Sequence, residues 1–251
     1  MTKMPHFFAQ RLNIIPPPSS TMGGSMLKRG LAITGCACLT LICMSSLKLL
    51  LMGAKLILTV RTVDALEHVA ECIKARDNKD VFVLPADMPC IESLPAVAAK
   101  AVAVYGGIDV FVNNAGYSQR ELDANTDFEV DVHMLNANYL SGVCLTKALL
   151  PSMTARGGGR LINISSFAGK VGIPVCTGYC GAKHTMKGFF DALWAEEFAW
   201  GSGIRATNIC PGSVRTNVAL TAVGSKVGQL RGQSDSNIEK GSTRCGCASE
   251  S

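Results

Sequence analysis

Short apolar runs alternate with longer segments of helical periodicity through most of the chain. The runs are rich in Val, Ile and Leu and lie at 31–33, 54–60, 81–84, 108–112, 160–164 and 204–209. Continuous apolar runs, rather than alternating ones, are typical of parallel strands that are buried on both faces. Between them, apolar residues recur every three or four positions and predict helices over 62–76, 91–104, 132–155 and 179–200.

This alternation of strands and helices predicts an α/β fold with a doubly wound parallel sheet. Crossovers between parallel strands are right-handed, which places helices on both faces and gives a Rossmann-like arrangement of three layers. In such folds ligands bind at the carboxyl ends of the strands. The functional residues are therefore expected just after the apolar runs.

The two ends of the chain lack this pattern. Residues 1–26 contain a triple proline and a Ser/Thr/Gly run, which predict a flexible leader. Residues 223–251 are polar, with no strand and no apolar helical face, and predict an unpacked tail. The folded domain is accordingly expected to occupy residues 27–222.

The segment 31–47 permits two interpretations. Its beginning, Leu-Ala-Ile-Thr-Gly, is typical of a first strand that enters a nucleotide-binding turn at Gly35. The segment is also uncharged, follows Lys28 and Arg29, and ends before Lys48. A membrane span needs ~20 apolar residues with basic residues on the cytoplasmic side. Insertion into a membrane would remove the first strand from the sheet. The segment fits both patterns, so both interpretations stay open.

Composition excludes some functions. Apolar residues make up 48% of the 251 residues, and the net charge is +5. No Lys/Arg cluster is interleaved with aromatics, so nucleic acid is not an expected partner. The eleven cysteines form no C-x-x-C pair and the four histidines are scattered. No metal site is therefore predicted, and the cysteines indicate a reducing compartment.

The strongest chemical signal is the stretch Tyr179-Cys180-Gly181-Ala182-Lys183. On a helix, Tyr179 and Lys183 lie one turn apart on the same face. A phenol has a pKa near ~10, and a neighbouring ammonium favours the phenolate and lowers that pKa. The pair could then exchange a proton with an alcohol or carbonyl oxygen. The spacing alone also fits a helix with a buried Tyr and an exposed Lys.

Residues at the predicted strand ends support the chemical interpretation. Ser166 follows the strand at 160–164 and could hydrogen-bond a substrate oxygen, or cap a turn. The strand at 108–112 ends in Asn113-Asn114-Ala115-Gly116, where the small residues let a flat ligand approach the backbone. Asn138 lies within a predicted helix, where Asn is mildly disfavoured. The last strand runs into Pro211–Thr216.

Together these motifs resemble the short-chain dehydrogenases/reductases over about residues 27–220. The stretches NYLSGVCLTKALLPSM, GYCGAKHTMKGFFDAL and ICPGSVRTN are similar to the branch called SDR family member 7. The resemblance implies hydride transfer between a nicotinamide cofactor and a carbonyl or secondary alcohol, with a lipid, steroid or retinoid-like compound as a candidate. It also implies a homodimer, and either a cytoplasmic location or one on the cytosolic face of the endoplasmic reticulum membrane.

The resemblance also implies a role for each site residue. Tyr179 is the general acid/base, Lys183 lowers its pKa and contacts the nicotinamide ribose, and Ser166 polarises the carbonyl. Asn138 holds a water in a proton relay that ends at Lys183. The implied cofactor-binding residues, besides Tyr179 and Lys183, are Gly35, Arg61, Asp87, Asn113, Ala115, Gly116, Pro211, Gly212, Val214 and Thr216.

The residue after the second strand bears on the choice of cofactor. An acidic residue there would bind the ribose 2′-hydroxyl of NAD, whereas an Arg accommodates the 2′-phosphate of NADP. This chain has Arg61 at that position, and a guanidinium matches a phosphate in a bidentate way. NADP(H) is therefore favoured over NAD(H), although a solvated Arg at a strand end is also common.

Two departures from the family pattern suggest an alternative. Leu39 and Leu41 fall where the family has glycines that admit the pyrophosphate. Members of the family continue with a further helix and a last strand, and in this chain only the stretch STRCG resembles the start of that helix. The sheet is therefore expected to lack its C-terminal strand, and the dimer is expected to be weakened. The alternative is a catalytically silent relative that acts as a binding protein.

Overall fold

The computed structural model describes residues 31–34, 55–59, 61, 81–213 and 218–232. Within these residues six strands form one parallel sheet in the order β3-β2-β1-β4-β5-β6. The strands are β1 (Leu31–Thr34), β2 (Leu56–Thr59), β3 (Val81–Val83), β4 (Val110–Asn113), β5 (Gly159–Ile164) and β6 (Ile204–Ile209). The strand order reverses between β1 and β4, which is where doubly wound sheets bind ligands. The predicted fold class is confirmed.

Helices cover the sheet and share its core. The described α-helices are α1 (Leu94–Tyr105), α2 (Phe128–Leu135), α3 (Ser141–Ala155) and α4 (Thr177–Trp200). Buried side chains of α1, α3 and α4 pack on Ile57, Phe111 and Leu161 in one cluster. In β2 all four residues are buried, Leu56 and Leu58 on the face opposite Ile57. This agrees with the two-sided burial that the continuous apolar runs predict.

The helix predicted over 132–155 differs from the one observed. The helical stretch begins at Phe128, continues through a π-helical turn at Asn136–Leu140, and ends at Ala155. Phe128 is 75% exposed, so its apolar character does not mark the buried face, which begins at Val130. Pro151, a possible break, lies inside the last turns of α3 without ending the helix.

Strand β1 contains the first residues of the segment 31–47. Leu31–Thr34 pair with β2 on one side and with β4 on the other. These four residues therefore supply the strand that insertion into a bilayer would remove. Residues 35–47, with Leu39 and Leu41, and the helix predicted over 62–76 lie outside the described residues. Among the described residues, no helix has the length and apolarity that a transmembrane span requires.

The folded part extends beyond residue 222, where the sequence pattern places the end of the domain. Val223 is 4% exposed and packs with Val130, Met134 and Ala182. Its amide donates to the Ser118 carbonyl at 2.8 Å. The predicted unpacked tail is therefore wrong for its first residues, because backbone pairing orders a polar segment that lacks an apolar face of its own.

Candidate active site

The segments that follow β5 and β6 are joined by backbone hydrogen bonds. The Ser165 amide donates to the Ile209 carbonyl at 2.8 Å, and the Phe167 amide donates to the Pro211 carbonyl at 2.9 Å. Parallel strands bring their carboxyl ends to one edge of the sheet. Ser166 and Pro211, predicted from separate motifs, therefore lie at the same edge.

A row of amide side chains connects the neighbouring strands at this edge. Asn113 donates from Nδ2 to Asn163 Oδ1 at 3.0 Å, and Asn163 donates to Asn208 Oδ1 at 2.7 Å. Asn208 in turn donates to the Asp191 carboxylate at 2.7 Å. Asn113 and Asn163 are almost completely buried, and hydrogen-bonded polar groups in a core specify one arrangement. The row fixes the register of β4, β5 and β6 beneath the site.

Tyr179 and Lys183 share one face of α4, as their spacing predicts. The Lys183 Nζ lies 5.8 Å from the centroid of the Tyr179 ring. Lys183 is only 4% exposed, and its Nζ donates to the Ile164 carbonyl at the end of β5, at 3.2 Å. A buried ammonium is costly unless it is hydrogen-bonded. The hydrogen bond to Ile164 therefore holds the ammonium in place near the Tyr179 ring.

Gly116 brings Asn138 and Lys183 to one place. A Cβ on Gly116 would clash with Asn138 Oδ1 and would lie 3.4 Å from Lys183 Nζ. The backbone of Gly116, at φ +154°, is also one that side chains rarely permit. The amide oxygen and the ammonium thus converge where only a glycine fits, after the buried Ala115.

The local backbone of Asn138 explains how its side chain reaches this place. Asn138 lies in the π-helical turn and is fully buried. Its Nδ2 donates to the Met134 carbonyl at 3.1 Å, whereas its Oδ1 has no hydrogen-bond partner among the described residues. Single π-helical turns are frequent at functional sites. A buried acceptor beside an ammonium suits an ordered water, because bridging waters satisfy such groups.

Ser166 adopts the capping arrangement that its sequence context permits. Its Oγ accepts a hydrogen bond from the Ala168 amide at 3.2 Å and caps the 3₁₀ turn Phe167–Gly169. A hydroxyl that accepts one hydrogen bond still has its own proton to donate. Capping therefore orients the Ser166 hydroxyl and leaves its donor capacity intact.

A second group of charged side chains lies near the ends of β2 and β3. Arg61 and Asp87 are both exposed. The charges of both side chains act on the imidazole of His133 on α2. Burial lowers the pKa of His133 below 6.5, Asp87 raises it and Arg61 lowers it. The imidazole also packs on the Tyr117 ring, with centroids 5.4 Å apart. No sequence motif indicates His133.

The beginning of α4 contains a further group that the motifs did not indicate. Gln119 accepts hydrogen bonds at Oε1 from the amides of Gly178, at 3.0 Å, and Tyr179, at 3.3 Å. Arg120 donates from Nη1 to Ser118 Oγ at 2.7 Å and to Cys176 Sγ at 2.9 Å. Gln119 and Arg120 are far from Cys176 and Gly178 in the chain, so no local periodicity could have related them.

Asp131 lies at the same helix end. A Cβ on Gly178 would clash with its Oδ1. Burial raises the pKa of Asp131, and the charge of Asp123 raises it further.

Part of the predicted site lies outside the described residues, namely Gly35, Val214 and Thr216. Of the predicted residues after β6, Pro211 is half-buried and Gly212 is exposed. Among the described residues no group of three or more His, Cys, Asp or Glu could hold a metal ion. The described part of the site contains a phenol, an ammonium, hydroxyls and amides.

Residues 33–224 match the protein family described as short chain dehydrogenase. A curated human relative, "Dehydrogenase/reductase SDR family member 7", is 36% identical over 198 residues, which cover 77% of this chain and 58% of the relative. A mouse relative, "Dehydrogenase/reductase SDR family member 7B", is 38% identical over 195 residues, covering 75% and 58%. The chain thus spans 58% of the length of these curated relatives.

Solved structures show the same fold. A short-chain dehydrogenase from Streptomyces avermitilis superposes with a TM-score of 0.67 at 27% identity, covering 78% of this chain and 69% of that one. A short-chain dehydrogenase/reductase from Burkholderia phymatum, determined in complex with NAD, has a TM-score of 0.70 at 19% identity, with coverage of 77% and 69%.

Proposed function

Since the chain belongs to the short-chain dehydrogenase/reductase family of oxidoreductases, in the member 7 branch, we propose that it catalyses hydride transfer between NADP(H) and a carbonyl or secondary alcohol. The observation that carries this proposal is the pair Tyr179 and Lys183, with the ammonium anchored on Ile164 and placed beside Asn138. The cofactor, when bound, would supply the hydride for the carbonyl carbon.

Side chains of the protein donate and accept the proton in this reaction. Tyr179 donates its phenolic proton to the substrate oxygen during reduction, and it accepts that proton during oxidation. Lys183 stabilises the phenolate that remains. Ser166 donates a hydrogen bond to the same substrate oxygen and holds it near the phenol. Asn138 Oδ1, a buried acceptor that has no partner within the described part of the chain, holds the water through which Lys183 exchanges protons with solvent.

The described residues fit a dinucleotide cofactor. The glycine at 116 lets the chain pass close to Asn138 and Lys183, and the Asn138 oxygen, which has no hydrogen-bond partner among the described residues, suits a hydrated site. The adenosine end would be held by Asp87, Asn113, Ala115 and Gly116, with Gly35 at the phosphates and Arg61 at the 2′-phosphate. The nicotinamide end would be held by Tyr179, Lys183, Pro211, Gly212, Val214 and Thr216.

The exposed side chains around the site support an apolar substrate. Phe167, Val171 and Val175 lie in the segment between β5 and α4 that leads to Tyr179, and they are 51%, 39% and 38% exposed. Exposed apolar side chains beside a catalytic group favour ligands that bury apolar surface. A lipid, steroid or retinoid-like carbonyl compound is therefore the proposed substrate class.

A fluorescence titration with NADPH tests the proposal. We expect saturable binding in the micromolar range, and NADPH-dependent reduction of apolar ketones or aldehydes. Tyr179→Phe should abolish turnover because it removes the exchangeable proton, while the affinity for NADPH stays nearly unchanged. Retained turnover in Tyr179→Phe would contradict the proposed role of the phenol.

The second candidate function is a catalytically silent binding protein, which Leu39 and Leu41 favour. Leucine side chains in the phosphate turn would obstruct the pyrophosphate. This alternative predicts no NADPH binding even at millimolar concentration, so the same titration separates the two functions.

Association with a membrane or with a second copy of the chain is proposed as well. Trp194, Phe198 and Trp200 are exposed on α4, and the Trp194 and Phe198 rings stack at 5.6 Å. Such an aromatic surface supports self-association. Analytical sedimentation should show a dimer for the parent protein and a loss of that dimer for Trp194→Ser. Carbonate extraction of cell membranes tests whether the protein is anchored in the endoplasmic reticulum membrane. Release of the protein into the soluble fraction would favour a cytoplasmic location.

A further inference from the structure

The first turn of α4 obtains its hydrogen bonds from outside the helix. The first amides of any helix have no partner within it and need another acceptor. Cys176, the residue before the helix, makes no side-chain capping hydrogen bond among the described residues. Instead the Gly178 and Tyr179 amides both donate to Gln119 Oε1, at 3.0 and 3.3 Å. One of the two capped amides thus belongs to the residue that carries the phenol.

Gln119 is itself held firmly. Its side chain has no exposed surface, and its Nε2 donates to Thr126 Oγ1 at 3.4 Å. Its backbone lies in a β-bridge with Val223. Two amide donors face the oxygen, so the orientation of the side-chain amide follows from its partners. The cap is therefore a fixed acceptor rather than a side chain that samples several positions.

Gly178 leaves space for this acceptor. A Cβ at position 178 would clash with Asp131 Oδ1 and would lie 3.3 Å from Gln119 Oε1. A contact of 3.3 Å is tighter than most real Cβ contacts, so the acceptor would have to move. The glycine that precedes Tyr179 is thus explained by the side chains packed against it, because glycine is otherwise unfavourable within a helix.

We infer that Gln119 is a positioning residue for the proposed reaction, which fixes the first turn of α4 and thereby the place of the Tyr179 hydroxyl relative to Lys183. Lys183 is held independently through the Ile164 carbonyl at 3.2 Å. The distance between phenol and ammonium therefore depends on whether the turn that carries Tyr179 stays formed. The inference rests on the proposed role of Tyr179 as general acid/base.

The test compares Gln119→Met, which keeps the length of the side chain and loses the acceptor, with Gln119→Glu, which keeps the acceptor. A misplacement of about 1 Å can cost ~100-fold in rate. We expect kcat with NADPH to fall at least about tenfold in Gln119→Met, with the Kd for NADPH within about twofold of the parent. Gln119→Glu should restore kcat to within about fivefold of the parent.

A measurement without turnover separates this inference from the proposed function. The ultraviolet titration of the Tyr179 phenol is obtained by subtracting the Tyr179→Phe spectrum, since the chain has four tyrosines. In Gln119→Met the titration should move to higher pH, because the phenol lies farther from the ammonium. A parent protein without turnover would overturn the proposed function, whereas an unshifted titration would overturn the role of Gln119.

The matched control is Ser202→Ala, at the opposite end of the same helix. Ser202 Oγ donates to the Glu197 carbonyl at 3.3 Å and accepts from the Ile204 amide at 3.1 Å. The loss of these two hydrogen bonds should weaken α4 about as much as Gln119→Met does. It should leave both kcat and the titration of the Tyr179 phenol unchanged. A fall in kcat equal to that of Gln119→Met would show a merely structural effect and overturn the inference.

Gly178→Ala provides a second variant should Gln119→Met fail to fold. Its new Cβ would clash with Asp131 Oδ1, which must move, and would lie 3.3 Å from the Gln119 oxygen, which must shift by a few tenths of an ångström. We expect kcat to fall by about threefold or more at unchanged NADPH affinity. A kcat equal to that of the parent protein would contradict the positioning role.

Discussion

At the scale of single residues, the site depends on side chains whose neighbours leave them few alternatives. Asn138 has its amide nitrogen bonded to Met134 and its oxygen directed to Gly116. Lys183 is buried with its ammonium bonded to the Ile164 carbonyl. A group held in one geometry needs no reorganisation during the reaction, which is a main source of catalytic efficiency.

His133 gives a prediction about pH at this scale. Burial lowers its pKa below 6.5, so the folded protein takes up this proton at a lower pH than the unfolded chain does. The associated stability is complete above pH 6.5 and is lost as the pH falls through the folded-state pKa. We therefore expect His133→Gln to lose less free energy of unfolding than the parent between pH 7 and pH 5.

Urea unfolding at a series of pH values measures this difference. His184→Gln serves as the control, because His184 is exposed on α4. A parallel decline in His133→Gln and the parent would show that His133 does not contribute.

At the scale of elements, the approach of β5 to β6 depends on glycines at the strand entrances. Gly158 has φ +132°, and a Cβ there would clash with the carbonyl oxygen of Gly203. Gly157, the preceding residue, has φ +85° but nothing within 4 Å of a Cβ. The two positions share a left-handed backbone and differ in the space around them.

This contrast predicts unequal effects of the same substitution. Gly157→Ala should cost about 1 kcal/mol, the usual penalty for a side chain in the left-handed region. Gly158→Ala should cost about 3 kcal/mol or more, because the backbone of β6 must also move. Urea unfolding gives both values, and equal losses would show that the contact with Gly203 adds nothing.

At the scale of the whole molecule, the proposed cofactor would touch segments from several strands. Arg61 follows β2, Asp87 follows β3, Gly116 follows β4 and Pro211 follows β6. A ligand that contacts all of these segments binds only when the sheet is assembled. Ligands of that kind stabilise the folded state by mass action.

NADPH should therefore raise the melting temperature. At a hundred times its Kd such a ligand adds about 2.7 kcal/mol, which is roughly 5 to 10 °C for a domain of this size. Arg61→Ala should reduce the affinity for NADPH about tenfold and leave that for NADH unchanged, since only NADPH has the 2′-phosphate. Thermal shift measurements with both cofactors test this, and equal effects on NADPH and NADH would contradict the preference.

The sequence by itself determined the order of strands and helices and the pair Tyr179 and Lys183. Apolar periodicity and the spacing of one helical turn are encoded within a few neighbouring residues. The predicted start at 132 was wrong, since α2 begins at Phe128, and this error was confined to an element boundary.

Only the tertiary structure decided which distant residues meet around that pair. Gln119 caps α4 across 59 residues of sequence, Asn138 meets Gly116, and His133 lies near Arg61 and Asp87. Val223 is ordered by pairing with the segment that contains Gln119. Such contacts depend on how packed elements bring remote segments together, and no local pattern in the chain records that geometry.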